Sequence, residues 1–272
     1  MRSPPDELMK DSNILTKQNR ILPAQGLLLA LLYVVSLASL CTWFALQAPW
    51  LGLTLKPQGE HLLITQAQGP SALLQKGHVL EAIRPSANTP WFPLKAGDTM
   101  EEPDLLPGYP ELDAFFARQG EIRQIIDKPL VQIRTSNPET NEASVFEVTP
   151  GERPASSLPT IFWFQVLICS LGCLIAVWVW VLQPQELGAR MFGITGLLFP
   201  AFVLPAAIYS SRELALAEPV FYALSAGNHL GSKMFGSAFV GIFMMHPIRL
   251  INVRWLYGLF MLMFAWWIIH AG

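Results

Sequence analysis

The histidines, serines, cysteines and membrane-depth polar residues are where this chain could hold chemistry. Zinc-dependent proteolysis needs two His one helical turn apart with a Glu base beside the first. Neither His229 nor His246 is followed by Glu, and no such pair occurs. Serine proteolysis within a membrane needs a Ser nucleophile and a His base. Ser232 or Ser237 could be matched with His229 or His246, but neither serine has a Gly-x-Ser-Gly context. Cys169 and Cys173, four apart, read as small apolar packing residues on one helix face. No phosphate loop, nucleotide-binding glycine cluster or phosphoacceptor-histidine context is present, so no catalytic residue, cofactor or metal ligand is assigned. What remains is Asn228, His229 and Lys233, polar groups inside an apolar run, where burial is costly and often functional. They are candidate signal-sensing residues at the membrane. The competing reading places Asn228 and His229 among lipid headgroups, with Lys233 snorkelling outward.

The elements that must position such groups follow from composition. The chain has 272 residues, 52% hydrophobic and only 14% charged, where a soluble domain carries roughly 25% charged. The averages hide a partition. Residues 48–158 hold 9 of the 18 Lys and Arg and 14 of the 20 Asp and Glu, a polar island of net charge −5 between apolar flanks. That pattern excludes an ordinary cytosolic enzyme and a disordered chain. It also excludes a nucleic-acid binder, since no basic patch exists to neutralise phosphates. With Cys41, the cysteines all lie in apolar runs, so there is no disulfide framework or Cys-based zinc site. The chain reads as a membrane protein.

A spanning helix needs roughly 20 apolar residues. Five runs are expected to span: 24–47, 158–182, 191–210, 230–246 and 255–270, with 1–23 as a cytoplasmic tail and 211–229 as an outer amphipathic lead-in. Trp43 and Trp50 mark the outer end of the first run. Phe162, Trp163, Trp178 and Trp180 flank the second, as interfacial anchoring requires. Pro200 and Pro205 should kink the third and free carbonyls that neighbouring helices must satisfy. Gly193, Gly196, Gly231, Gly236 and Gly241 read as close helix packing. With the N-terminus inside, Arg2, Lys10, Lys17, Arg20, Arg190, Arg249 and Arg254 fall on the cytoplasmic side, and only Arg212 and Lys233 oppose them. The positive-inside rule then puts the polar island outside, in the periplasm of an inner-membrane, multi-pass protein. The first run is read as a retained anchor, because its apolar core is too long for a signal peptide and no A-x-A site follows.

Within the island, the stretches Leu51–Leu55 and His61–Thr65 alternate with a period of two around Pro57-Gln58-Gly59, which reads as a hairpin. Residues 111–126 read as a helix with Leu112, Phe115, Phe116, Ile122 and Ile126 near one face, although Gly120 weakens its middle. Residues 130–134 and 144–148 alternate again. The order Gly52-Leu53-Thr54-Leu55, Leu63-Ile64-Thr65, Gly69-Pro70-Ser71-Ala72 and Gly77-His78-Val79-Leu80-Glu81-Ala82-Ile83 resembles a PDZ domain. His78 stands where that family usually has Asp, and Leu74-Gln75-Lys76 replaces its usual Gly-Leu-x-x. The resemblance implies peptide capture, with Gly52 and Leu53 at a carboxylate loop and Thr54 and Leu55 on the receiving strand. The alternative is a structural or dimerising lobe in which Gly52 only turns the chain from membrane to strand. The expected fold is thus an α-helical polytopic membrane protein of about five spans, with an extracytoplasmic α+β PDZ-like domain (48–157) between spans 1 and 2.

A second resemblance covers residues 27 to the C-terminus. Leu158-Pro159 before Phe162-Trp163-Phe164-Gln165, Trp178-Val179-Trp180 with Gln183-Pro184, Ala189-Arg190, the string Ala207-Ile208-Tyr209-Ser210-Ser211-Arg212-Glu213-Leu214-Ala215-Leu216, and Phe243 to Pro247 look like the input half of polytopic sensor histidine kinases. In that family an external ligand, often a peptide, shifts a helix bundle and regulates a dimeric kinase. This chain departs from the family in carrying no phosphoacceptor helices and no ATP-binding domain. The resemblance implies a signal-sensing module among membrane lipids, working as a homodimer with a separate kinase chain and an extracytoplasmic peptide or protein ligand, and without nucleic acid. The alternative is an envelope scaffold that docks partners through its extracytoplasmic lobe.

Overall fold

The computed structural model describes residues 23–246 and, beyond them, 248, 250–252, 254, 255, 258, 260–262 and 265. The expected cytoplasmic tail and most of the expected fifth span lie outside the described residues. Helix α1 (Pro23–Leu46) is predominantly apolar and carries no charge. Next comes a polar lobe: β1 (Leu53–Gln58), β2 (His61–Ala67), β3 (Val79–Arg84), the short β4 (Phe92–Pro93), α2 (Tyr109–Ile126), β5 (Val131–Ser136) and β6 (Ala143–Val148). The chain then returns to apolar helices α3 (Thr160–Leu182) and α4 (Leu187–Ser210), followed by the longer α5 (Glu218–Met245).

The strands form one antiparallel sheet in the order β1-β2-β3-β5-β6, with β4 paired to β3. The β1–β2 hairpin turns at Gly59, whose φ of +59° suits glycine. Pro57 pairs with Leu62 and is tolerated because β1 is an edge strand, where no ladder partner needs its missing N–H. One face of the sheet buries Leu62, Ile64, Leu80, Ile83 and Ile133 against Ile122 and Ile126 of α2. Asp98, almost fully buried, takes the Arg118 guanidinium at 2.5 Å and the Lys95 N–H at 2.8 Å, tying the loop before α2 to that helix.

Two parts of the sequence-derived fold are corrected. Among the described residues three helices, not five, are long and apolar enough to cross a membrane: α1, α3 and α4. The fourth expected run does not separate into a lead-in and a span at 230. It is one 28-residue helix, α5, which starts at Glu218 and carries Asn228, His229 and Lys233 along its length. Its polar content keeps it out of the spanning class. The second correction concerns the lobe. In place of a self-contained PDZ-like domain there is a six-stranded antiparallel sheet, and its core is completed by Leu214 and Ala215 from the α4–α5 connector. An outlying segment therefore supplies part of the packing that 48–157 lacks.

The helices pack through small residues. A Cβ on Gly196 would lie 2.2 Å from the Ala176 Cβ, so α3 and α4 approach closely there. One on Gly231 would lie 2.8 Å from the Ala201 backbone, so α5 rests directly on α4. Pro205 cannot donate to the carbonyl of Ala201, and this loosened turn is where α5 crosses. Asn228 donates its Nδ2 to the Phe202 carbonyl at 2.8 Å.

Candidate functional site

The lobe meets the apolar helices at one end, where α1 and α4 finish and α3 and α5 begin. Chain geometry fixes this junction. Trp50 and Gly151 exchange backbone hydrogen bonds of 3.0 and 2.9 Å, clasping the exit from α1 to the approach to α3. The indole lies against Gly69, at which no Cβ could fit. Just past the clasp, Gly52 takes a φ of +82°. That turn points three successive N–H groups inward, a concave backbone nest suited to an anion.

The nest is filled from within. Glu213 Oε2 accepts the Leu51 N–H at 2.7 Å, and Oε1 accepts those of Gly52 and Leu53, both at 2.9 Å. Glu213 sits in the connector between α4 and α5, and the next two residues, Leu214 and Ala215, are buried in the sheet core. Burial pushes the Glu213 carboxyl above its usual range, although the three N–H bonds and the nearby Arg153 pull the other way.

Two arginines flank this carboxylate, and both are removed from water. Arg153 is 7% exposed and Arg212 9%. Arg153 donates to Ser157 Oγ at 3.2 Å, the Ala45 carbonyl at 3.4 Å and the Ser211 carbonyl at 2.6 Å, joining the lobe to α1 and to the α4 terminus. Arg212 donates to Gln119 Oε1 at 3.2 Å, to the Tyr209 carbonyl at 2.7 Å and to the carbonyls of Asp98 and Met100. Its guanidinium lies 4.6 Å above the Phe221 ring. Burial pulls Arg212 down to about 10, opposed by Glu101, Tyr209 and Asp98. Arg153 is lowered by burial too, with Glu213 opposing. Among the described residues, neither arginine forms an ion pair within 4.0 Å. Carbonyl dipoles solvate them instead, which is unusual for buried cations.

Beside the nest lies a cavity of about 520 Å³ between the lobe and the helix ends, lined by Trp50, Leu53, Leu55, Arg153, Ile161 and Ser210 among others. A larger crevice of about 800 Å³ between α1, α3 and α4 is almost wholly apolar and lies toward the other end of these helices, near Trp180 and Gln185. It offers no converging polar groups, so the junction is the candidate site.

Of the sequence-derived candidates, Gly52 and Leu53 form the nest with Leu51, and Thr54 and Leu55 line the cavity. Thr54 is exposed, and its carbonyl accepts Thr65 Oγ1 at 2.9 Å. Asn228, His229 and Lys233 lie roughly 15–22 Å along α5 from Glu218 at 1.5 Å rise per residue, so the structure does not bring them to this site. Asn228 packs between helices. His229 is half-buried and Lys233 exposed. Sequence reasoning missed Arg153 as a site residue, and it used Arg212 and Glu213 only in the sensor-kinase resemblance, with Arg212 also counted for orientation. The available signal was the charged pair Arg212-Glu213 between an apolar helix end and Leu214-Ala215-Leu216. Comparison with family models, with curated proteins and with solved structures gives no match for this chain.

Proposed function

We propose that the chain is the signal-sensing module of a membrane receptor of the sensor histidine kinase type, with its lobe on the extracytoplasmic face of an inner membrane. One observation carries this reading: the α4–α5 connector is part of the lobe, with Glu213 in the nest and Leu214 in the core. A ligand that changes the lobe's hold on that connector must move α4 and α5, which is how a two-state helix bundle is biased. The orientation is supported by Arg190 in the first turn of α4, opposite the lobe, while Arg212 on the lobe side is buried in protein. Signals would pass to a kinase chain in a homodimeric assembly.

The test uses spin labels at Glu186, at the start of α4, and Phe243, near the end of α5, both exposed and remote from the lobe. In nanodiscs, Glu213→Ala is expected to produce a second distance population between α4 and α5. An unchanged distribution would defeat the coupling. Cross-linking from Leu182 in native membranes is expected to capture a histidine kinase chain.

A further inference from the structure

We infer that the outer edge of β6 is a docking strand for an extended, cationic peptide, captured by strand addition. The inference builds on the receptor reading by naming a ligand class and the place where that ligand enters the lobe. It stands first on the backbone groups that the sheet leaves over. In an antiparallel ladder, alternate residues of an edge strand bond inward, and those between them turn both N–H and C=O outward. Ser136 pairs with Ala143, and Asn137 donates to the Glu142 carbonyl at 3.1 Å, which sets the phase of β6. Ser144, Phe146 and Val148 therefore bond to β5. Ala143, Val145 and Glu147 turn six backbone groups outward, and among the described residues none of the six has a partner outside the sheet. Further along the same edge and in the same phase, Gly151 exchanges both of its bonds with Trp50.

The two edges of the sheet differ in how they are guarded. β1 carries devices that discourage pairing: Lys56, Pro57 and a bulge between Thr54 and Leu55. Its start, where peptide capture was expected, is occupied by Glu213. β6, at the opposite edge, has no Pro, no Lys and no bulge over its six residues. Val145 at its centre is 51% exposed, while Phe146 seats the strand on the core. A regular, unguarded edge is a template for a further strand, whose main-chain bonds supply affinity.

Charge narrows the occupant. Glu139, Glu142 and Glu147 are all exposed, and no Lys or Arg occurs between residues 135 and 152. Glu147 accepts the Gln132 amide through Oε1 at 2.8 Å, which leaves Oε2 for another donor. Among the described residues it makes no ion pair within 4.0 Å. Arg134, level with Val145 on β5, is held by Glu81 at 2.9 Å and lies 5.1 Å from the Trp91 ring. A second copy of the chain would bring the same carboxylates to a lobe already at net charge −5, so self-pairing is opposed. A strand with Lys or Arg level with Glu147 and a β-branched residue level with Val145 gains from both cross-strand pairs.

The probe is the capped peptide Thr-Lys-Thr-Val-Thr-Lys-Thr, whose symmetry suits either strand direction. It is titrated into the full chain in phosphatidylcholine nanodiscs and read by calorimetry and by residue-resolved amide exchange. Saturable one-site binding is expected, about tenfold tighter than that of the same peptide with Glu in place of Lys. The peptide should slow exchange at Ala143, Val145 and Glu147 and leave Ser144 and Phe146, already bonded to β5, unchanged. Val145→Pro removes an N–H that the sheet does not use, so the melting temperature should hold while binding is lost. Glu142→Lys with Glu147→Lys should reverse the preference in favour of the Glu peptide, which no loss of folding can mimic. Absence of saturable binding, equal binding by Val145→Pro, or protection of other strands overturns the site. Protection of Ala143, Val145 and Glu147 before peptide is added, rising with the number of chains per disc, would assign the edge to a second copy and overturn it too. Binding that leaves the label distances between α4 and α5 unmoved would sink the receptor reading alone.

Discussion

Gly52 donates its backbone N–H to the Glu213 carboxylate at 2.9 Å across 161 positions of sequence, and no other residue type can stand at Gly52. Its φ is +82°, and an added Cβ would lie 1.9 Å from the Gln68 carbonyl oxygen. That oxygen belongs to backbone, so no side-chain rotation can relieve the clash.

Gly52→Ala is therefore expected to lower stability by at least about 3 kcal/mol. It combines left-handed strain of about 1–2 kcal/mol with loss of the bonds to Glu213, each worth about 1.5–3 kcal/mol to a charged group. Gly59 is the control. It also has positive φ, but nothing lies within 4 Å of its added Cβ. Gly59→Ala should cost only the strain, about 1–2 kcal/mol. Thermal melts of the two variants in detergent decide the matter: equal losses would mean that the nest adds nothing.

A second expectation concerns the lobe cut free of its helices. Residues 48–158 lack Leu214 and Ala215, which the intact core buries. Burying a Leu side chain is worth roughly 1.5–3 kcal/mol, a large share of the stability of a domain this size. The excised lobe should melt broadly and exchange its β1 amides quickly. Adding a synthetic peptide of residues 211–216 should sharpen the transition, and the same peptide with Leu214→Ala should do so far less. A lobe that melts as sharply alone as with the peptide would show the connector to be incidental.

How far the sequence disclosed this arrangement differs between its parts. The alternation in Leu51–Leu55 and His61–Thr65 reflects local backbone pleating, and it marks the hairpin that β1 and β2 form. Gly120 looked like a weakness in a helix, yet an added Cβ there would lie 3.0 Å from the Glu218 Cβ, so it is where α2 meets α5. That contact joins segments about a hundred residues apart, and no local pattern encodes it. Glu213 stood out locally only as half of the charged pair Arg212-Glu213, and its partners lie as far away in sequence as those of Gly120. A carboxylate ending an apolar run reads as solvated until the nest that receives it is known. Counting spans failed on a different ground: α5 is apolar enough to pack on α4 but too polar to be classed as a span.

A third expectation tests the packing of α5 on α4. Gly231 touches the Ala201 backbone, whereas nothing lies within 4 Å of an added Cβ at Gly236. Gly231→Ala should force the helices apart and destabilise the chain by about 1–3 kcal/mol, the usual range for overpacking. Gly236→Ala should be neutral or stabilise by about 0.5–1 kcal/mol through lower unfolded-state entropy. Asn228→Leu should lose about 1 kcal/mol with its bond to Phe202. Disulfide trapping between α4 and α5 would register the displacement, and identical yields in both glycine variants would contradict the contact.

The last expectation is a pH dependence whose sign follows from burial. Glu213 starts from an ordinary value of 4.5, and loss of solvent raises it more than the nest and Arg153 lower it. The folded protein thus holds this proton more tightly than the unfolded chain. Under linkage, the contribution of such a group is fully present below about pH 4.5 and is lost as pH climbs through the raised value. Deprotonation leaves a carboxylate facing Arg153 and three N–H groups in a site with little water, so the connector is held less firmly on the alkaline side of that window. Glu213→Gln cannot titrate, and its amide turns a donor toward N–H groups, so the variant carries a penalty of its own that does not vary with pH. The melting temperature of the wild type minus that of Glu213→Gln should therefore shrink as pH rises from 4.5 and level off once Glu213 is ionised. A difference that grew with pH would mean that the nest outweighs desolvation, and that the connector is gripped most firmly in its charged form.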